Sequence, residues 1–252
     1  MKKRVSLVMI ARNEAADLPA CVASVRGLAD EIVLVDSGST DGTRELARGL
    51  GARVESREFD SFAGQKGYAL SLATSEWVLH LDPDETLTPE LREEIVTLLE
   101  GEPSCAAYDI PYRNFFLGRE MRHSGLSSES HVRLFLREKS SFGGGLVHEG
   151  IEVKGPVGKL KGRIEHRSYP DLDEYLSKFN EYTSLAARKM RAEGKRFSAL
   201  KLMSVPFEFA KRYIIRLGFL DGIPGLAWAA CSAMYVFVKY IKLWRLEQGE
   251  NK

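Results

Sequence analysis

Cysteine is scarce and scattered in this chain. Cys21, Cys105 and Cys231 are odd in number, far apart and in no metal-ligand spacing, which excludes a disulfide framework or zinc module and reads as reduced core thiols. An excess of charge of one sign is missing too. Lys and Arg total 36 against 35 Asp and Glu, so at net +1 no global field recruits nucleic acid or an acidic partner, and no nucleic-acid partner is expected. No internal repeat or low-complexity tract is visible. The nearly uncharged run at residues 225–238 falls short of the about 20 residues that span a bilayer. The basic start Met1-Lys2-Lys3-Arg4 is followed by an apolar run that stops at Arg12-Asn13-Glu14, too early for a secretory leader, so the expectation is a cytoplasmic chain.

What is present is alternation. Val5 to Ile10 and Ile32 to Val35 are apolar runs of strand length, each followed by a helical stripe: Leu18, Cys21, Val22 and Val25 after the first, Thr43, Leu46, Ala47 and Leu50 after the second. Ala52 to Ser56 reads as a short strand and Phe62 to Ala73 as a helix carrying Gln65 and Lys66. A buried strand, Trp77 to Leu81, then leads into Asp82-Pro83-Asp84-Glu85. Thr88 as N-cap and Pro89 in the first turn open a helix whose predicted buried face is Leu91, Ile95, Leu98 and Leu99. Strands alternating with helices predict a doubly wound, mostly parallel α/β sheet.

After Gly101 the texture turns to short β pieces separated by glycines, and from Asp171 it is helical to the end, with Leu172, Tyr175, Leu176, Phe179 and Tyr182 as the expected core stripe. Residues 1–168 are read as a catalytic domain and 169–252 as a C-terminal helical region. In that region Phe207, Ala210, Ile214 and Leu217 are expected on one helix face with Lys211, Arg212 and Arg216 elsewhere. Such a helix beside an apolar one suits an anionic membrane surface, and it suits equally an appendage packed on the catalytic domain.

Carboxylates fall at three successive strand ends: Glu14 after Arg12, Asp36, and the pair Asp82 and Asp84. In an α/β sheet that edge receives ligands, and Asp-x-Asp suits a hard divalent cation shared with substrate phosphates. The motifs Met9-Ile10-Ala11-Arg12-Asn13-Glu14, Val35-Asp36-Ser37-Gly38-Ser39-Thr40-Asp41-Gly42-Thr43, Gln65-Lys66 and Leu81-Asp82-Pro83-Asp84-Glu85 resemble the GT-A fold glycosyltransferases of family 2. With Val132-Arg133-Leu134-Phe135, Val147-His148-Glu149 and Leu217-Gly218-Phe219-Leu220-Asp221-Gly222, the likeness extends to their bacterial lipopolysaccharide or lipooligosaccharide core β-1,4-glucosyltransferases.

The resemblance implies a GT-A sheet with a C-terminal helical region and an inverting transfer of a sugar, glucose in that branch, from a UDP-sugar. The acceptor it implies is a cell-envelope glycan or glycolipid, reached by a cytoplasmic enzyme peripheral on the inner face of the membrane. It implies that Ala11, Arg12, Glu14, Asp36, Lys66 and Asp82 line the donor, that Asp84, with Asp82 and His148, holds Mg²⁺ or Mn²⁺, and that a glutamate is the base. Candidate bases are Glu149, preferred because it follows Gly143-Gly144-Gly145, and Glu129 in Ser127-Ser128-Glu129-Ser130. Plainer roles stay open: Asp36 and Asp41 as caps of the next helix, Lys66 as a solvated charge, His80 as a core histidine, either glutamate as a salt-bridge partner. Transfer to another acceptor, nucleotidyl transfer and an idle nucleotide-sugar-binding domain are the competing functions. The glycine- and basic-rich phosphate loop of nucleotidyltransferases is missing after the first strand, and both acids of the Asp-x-Asp are intact.

Overall fold

The computed structural model describes residues 3–145 and 148–249, and of Gly144, Gly145, His148 and Glu149 the backbone alone. Strands and helices alternate as predicted: β1 (Val5–Ala11), α1 (Leu18–Ser24), β2 (Glu31–Asp36), α2 (Thr43–Gly49), β3 (Arg53–Ser56), α3 (Phe62–Leu72), β4 (Trp77–His80). β2 and β4 flank β1 in parallel, and β3 continues beyond β2. Every residue of β4 is buried, as a parallel strand covered on both faces requires. Val5, Leu7, Met9 and Ala11 pack with Leu18, Cys21 and Val22 of α1, whereas Val8 faces Ala69 and Leu70 of α3. That two-sided cover is the doubly wound arrangement.

A short strand absent from the sequence reading, β5 (Glu85–Leu87), comes next, followed by α4 (Pro89–Glu100). Thr88 Oγ accepts the Leu91 amide at 3.3 Å with Pro89 in the first turn, and Leu91, Ile95 and Leu99 are buried. The β-rich stretch resolves into β6 (Ala107–Phe116), β7 (Arg119–Glu120), β8 (Ser130–Leu136), β9 (Ser140–Gly145), β10 (His148–Val153), β11 (Val157–Lys159) and β12 (Ile164–Tyr169). The sheet order is β3-β2-β1-β4-β8-β6-β12-β5, parallel through the first four strands and antiparallel where β8 enters between β4 and β6. β9 and β10 pair with each other in a separate hairpin.

The chain forms two compact units, Met1–Tyr112 with Glu129–His166, and Arg113–Ser128 with Arg167–Lys252. Residues 113–128, on the catalytic side of the division read from sequence, therefore group with the helical unit. That unit holds α5 (Leu172–Ala192), α6 (Ser204–Ala210) and α7 (Gly222–Gly249). The buried face of α5 is Tyr175, Phe179, Thr183, Ala186 and Ala187, while Leu172 and Leu176, expected in the core stripe, are 47% and 49% exposed. An aromatic cluster sets this phase: Tyr175 meets Phe116 and Trp228, and Phe179 meets Tyr235, which turns the two leucines to the outside.

The stretch expected to carry Phe207, Ala210, Ile214 and Leu217 on one helix face is interrupted: α6 ends at Ala210, a wide helical turn spans Lys211–Ile215 and Leu217 is left-handed, and Phe207, Ile214 and Leu217 are exposed. The run at 225–238, read as too short to cross a bilayer, lies inside a helix of 28 residues, about 42 Å at 1.5 Å per residue. The stretch Gly218–Gly249 is long and apolar enough to cross by length and composition, since flanking polar residues continue the helix.

Candidate functional site

The loops after β1 and β2 are laced together. Asn13 N donates to Ser39 Oγ at 2.9 Å, Thr40 N to Asn13 Oδ1 at 2.8 Å, Glu14 N to Thr43 Oγ at 2.9 Å and Ala15 N to Asp41 Oδ2 at 3.0 Å. Asn13 sits at φ +59°, a left-handed position that asparagine tolerates better than most residues. Asp36 pairs with Ala11 at the strand ends and is fully buried. Its Oδ2 accepts the amides of Gly38 at 2.9 Å and Ser39 at 3.0 Å, and its Oδ1 that of Ser39 at 3.3 Å, so it shapes its own loop and does not cap the next helix. Asp41 does serve that helix, accepting the Thr43 amide at 3.0 Å, and these hydrogen bonds hold its carboxyl below the usual range although burial opposes them.

At the end of β4 charges of both signs converge. Arg133 Nη2 lies 3.0 Å from Asp82 Oδ2 and 2.6 Å from Glu85 Oε1. Its Nε donates to the Tyr112 hydroxyl and its Nη1 to His80 Nδ1. Glu85, 1% exposed, also accepts the Tyr112 hydroxyl at 2.9 Å and the Asp82 amide at 3.0 Å. Lys66, buried on α3, places Nζ 3.6 Å from Asp82 Oδ1. Arg133 reaches this cluster through a β-bulge: Leu134 pairs with Tyr108 and Val132 with Asp109, which leaves Arg133 out of the ladder and turns it to the site.

The electrostatics follow from these distances. Burial works against the Asp82 carboxylate, but the charges of Lys66 and Arg133 outweigh it and hold the group well below the carboxylate range. Burial raises Glu85 against the opposing pull of Arg133. Burial, and then the positive charges of Lys66 and Arg133, push His80 well below its ordinary value and keep it neutral. Since Nδ1 accepts from Arg133, the proton of the neutral ring belongs on Nε2. That Nε2 is buried, has no hydrogen-bond partner among the described residues and stands 3.9 Å from Asp82 Oδ1.

Asp84 turns away from this network, with Oδ2 3.3 Å from Nε2 of His166, which pairs with Glu85 in the β12–β5 ladder. Asp82, Asp84 and His166 are the carboxylates and imidazole that a divalent ion would meet at this edge. Asp82 is already engaged by two cations, whereas Asp84 meets one imidazole, which can join it as a ligand for Mn²⁺ once it gives up its proton. Among the described residues no group of three or more His, Cys, Asp or Glu closes on a metal. A cation would thus take one or two protein ligands and complete its shell elsewhere, which fits Mg²⁺-type sites that share phosphate oxygens. Burial opposes the His166 imidazolium, but the hydrogen bond and charge of Asp84 and the charges of Glu85 and Asp82 raise its pKa to about 9.

A folded pKa above the ordinary 6.5 means that this pair stabilises the metal-free fold fully below pH 6.5 and ceases to do so as pH rises through about 9. Melting of the metal-free protein should therefore drop across that window, and Asp84→Asn should flatten the profile. An unchanged slope in the variant removes the ion pair as its cause.

Of the residues read from sequence, Ala11, Arg12, Glu14 and Asp36 share the first two strand-end loops, and Lys66 and Asp82 share the network. Arg12 is exposed and Glu14 partly so. Glu129 sits before β8 with Oε1 3.0 Å from His131 Nε2, and His131 packs edge-on against Tyr112 at 5.2 Å. The side chains of His148 and Glu149 lie outside the described residues; their backbone pairs with Gly145 and Gly144 across the hairpin. Sequence reasoning passed over Tyr112, Glu85, His166 and the specific part of Arg133. The one local signal was a tyrosine and two charged residues inside strand-like runs, where burial demands partners.

Residues 6–151 match the family described as Glycosyl transferase family 2. The lipopolysaccharide core biosynthesis glycosyltransferase LpsC of Rhizobium meliloti is 32% identical over 252 residues, covering 97% of this chain and 93% of that protein. An uncharacterized glycosyltransferase of Rickettsia typhi is 28% identical over 258 residues, 98% of this chain and 87% of its own length. Among solved structures, the mannosyltransferase PcManGT from Pyrobaculum calidifontis, in complex with GDP-Man and Mn²⁺, is similar in fold with a TM-score of 0.55 at 14% identity, over 96% of this chain and 87% of that one.

Proposed function

The chain belongs to glycosyl transferase family 2, and on that premise we propose that it is an inverting, metal-dependent transferase that moves a sugar, glucose, from UDP to a cell-envelope glycan, the lipopolysaccharide core. The observation that carries this reading is the placement of Asp84 with His166 beside an Asp82 whose charge Lys66 and Arg133 already offset. A diphosphate needs cations at its oxygens, and Asp84, which meets one imidazole where Asp82 meets two cations, is the carboxylate of this strand end with less to give up for a metal ion. The 32% identity to a lipopolysaccharide core glycosyltransferase supports the acceptor class. With a lipid-borne acceptor of that class, the enzyme works as a peripheral protein at the cytoplasmic face of the inner membrane.

In this mechanism Asp84, with His166 or Asp82 beside it, would hold Mg²⁺ or Mn²⁺, and the bound ion would supply charge neutralisation for the departing diphosphate. Lys66 adds a second positive charge to the same phosphates. Ala11, Arg12 and Glu14 line the nucleoside end. Asp36 fixes the loop around the base and offers uracil its less committed oxygen, Oδ1, whose single hydrogen bond is 3.3 Å long. Glu149 takes the proton of the acceptor hydroxyl as the new glycosidic bond forms at the anomeric carbon and the bond to UDP breaks on the opposite face. Glu129, held by His131, contacts the acceptor.

Nucleotide release from a panel of UDP- and GDP-sugars, with Mg²⁺ or Mn²⁺ and with or without lipopolysaccharide core, tests the reading. Turnover that prefers GDP-sugars, or that survives excess EDTA unchanged, overturns the donor or the metal assignment. For the base, Glu149→Gln should lower kcat by roughly 10² to 10⁴ while UDP binding holds. If Glu129→Gln shows that loss and Glu149→Gln does not, the two roles are exchanged.

A further inference from the structure

Large apolar side chains that are more than half exposed number eight among the described residues, and all eight fall between Leu200 and Met234. Leu200, Met203, Phe207, Ile215, Leu220 and Ile223 range from 57% to 80% exposed. Scattered apolar residues on a surface need no explanation, but this many in one stretch do.

A loosely held tail would account for them, yet the backbone that carries them is tightly fixed. Asp221 accepts the amides of Arg122 at 3.1 Å and His123 at 3.0 Å, the His123 ring contacts it at 3.0 Å, and Ser124 Oγ donates to it at 3.3 Å. Ser124 N donates to Arg216 O at 2.8 Å. Gly218 leaves no room for a side chain, since a Cβ there would lie 2.6 Å from Arg212 O and 2.7 Å from Ser124 Oγ, and one on Gly225 would lie 1.9 Å from Gly218 O. Leu217, at φ +56°, takes a backbone conformation disfavoured for a non-glycine residue. Two glycines, an aspartate and a strained leucine thus hold rigid a loop whose Phe219 and Leu220 point outward, 48% and 57% exposed.

The charge around this face selects its occupant. Residues 199–226 contain four Lys and Arg against Glu208 and Asp221; Arg212 pairs with Glu208 and Asp221 is taken up by the amides of Arg122 and His123, while Lys201 and Arg216 are exposed. Two copies of the chain meeting through this face would set one basic rim against another. An anionic lipid surface takes both the apolar tips and the basic rim. Pro224, Gly225, Ala229, Ala233 and Leu243 of α7 are buried, and Lys242 Nζ bonds Asn180 O and the Thr183 and Ser184 hydroxyls of α5 at 2.7 to 2.8 Å; one-sided docking keeps these contacts, whereas α7 crossing alone would break them.

We infer that residues 199–226 form a one-sided membrane-docking surface, in which the rigid loop at 217–223 and the exposed faces of α6 and the first turn of α7 enter one anionic leaflet. The inference rests on the proposed function only for the lipid-borne acceptor. Vesicle binding is read without donor or acceptor, so it succeeds or fails apart from sugar transfer.

The test is sedimentation of the full chain with vesicles of phosphatidylcholine alone and of phosphatidylcholine mixed equally with phosphatidylglycerol. The wild type should pellet with the mixed vesicles and be released by salt. Leu220→Glu and Ile223→Glu, both at exposed positions, should bind at least about tenfold more weakly with an unchanged melting curve, and Lys201→Glu with Arg216→Glu should remove the preference for the anionic lipid. Equal pelleting of Ile223→Glu and wild type overturns the inference. So does a wild-type dimer in light scattering that Ile223→Glu splits, which makes a second copy the occupant. Resistance of the bound protein to alkaline carbonate overturns it as well, by making α7 a crossing helix.

Discussion

Replacing Asp84 by Ala should abolish sugar transfer and leave the fold in place. The side chain stands at the ligand edge of the sheet, 15% exposed, and its contact is with His166 at 3.3 Å, so its removal breaks one ion pair and opens no core cavity. What it takes away is the carboxylate best placed to hold a cation against the departing diphosphate. Loss of one such charge-stabilising group costs about 10² to 10³ in kcat, on the order of 3 to 4 kcal/mol of transition-state stabilisation. Turnover with saturating UDP-sugar and metal measures it, and the melting curve serves as the fold control. Near wild-type turnover would send the metal to other ligands. Asp82→Asn should behave differently: Lys66 and Arg133 lose a partner, and donor affinity should fall along with rate.

Arg133→Met should destabilise the protein by about 3 to 5 kcal/mol, the cost of leaving buried charge without its partner. Glu85 is 1% exposed and faces the Arg133 guanidinium at 2.6 Å, while Tyr112, His80 and Asp82 all direct an atom at the same group. Removing it strands the Glu85 carboxylate among Asp82 and Asp84, whose charges already work with burial to raise it. Urea denaturation at constant m reads the loss. Adding Glu85→Gln to Arg133→Met should recover part of it, because the stranded charge is gone. If the single variant melts like wild type, the bulge at Arg133 serves the ligand alone, and the deficit should appear only in UDP binding.

Both predictions depend on residues that differ in how well they can be read from sequence. Asp82 and Asp84 are legible because a buried run of β-strand length ends on them and the next helix announces itself through Thr88 and Pro89; every clue lies within about ten residues. Asp36 is legible as a strand-end acid, but its use is not, since the amides of Gly38 and Ser39 occupy it only once the loop has closed. Arg133 stands in a run that reads as an ordinary strand. Nothing nearby in the sequence says that it is skipped by the ladder with β6, and without that skip it would be paired like its neighbours. His166 sits 82 positions from Asp84 and meets it only because β12 runs antiparallel to β5, a strand too short to be seen as a pattern.

The sequence by itself determined the alternation of β1 to α4, the three strand-end acid loops and the family, because apolar periodicity, caps and turn residues act over one or two turns of chain. It also set the composition of the C-terminal helices, though not their buried faces: Leu172 and Leu176 fit the helical period as well as Tyr175 and Phe179 do, and the aromatic packing around Phe116 and Trp228 chose between them. Only the tertiary structure decided that Lys66, Arg133, Tyr112 and Glu85 close around Asp82, that His166 joins Asp84, and that the 217–223 loop is rigid while its apolar side chains are exposed. The physical reason is that each of these rests on strand register or close backbone approach between distant segments. A one-residue change in register turns a side chain to the other face of the sheet, and no local pattern records which register wins.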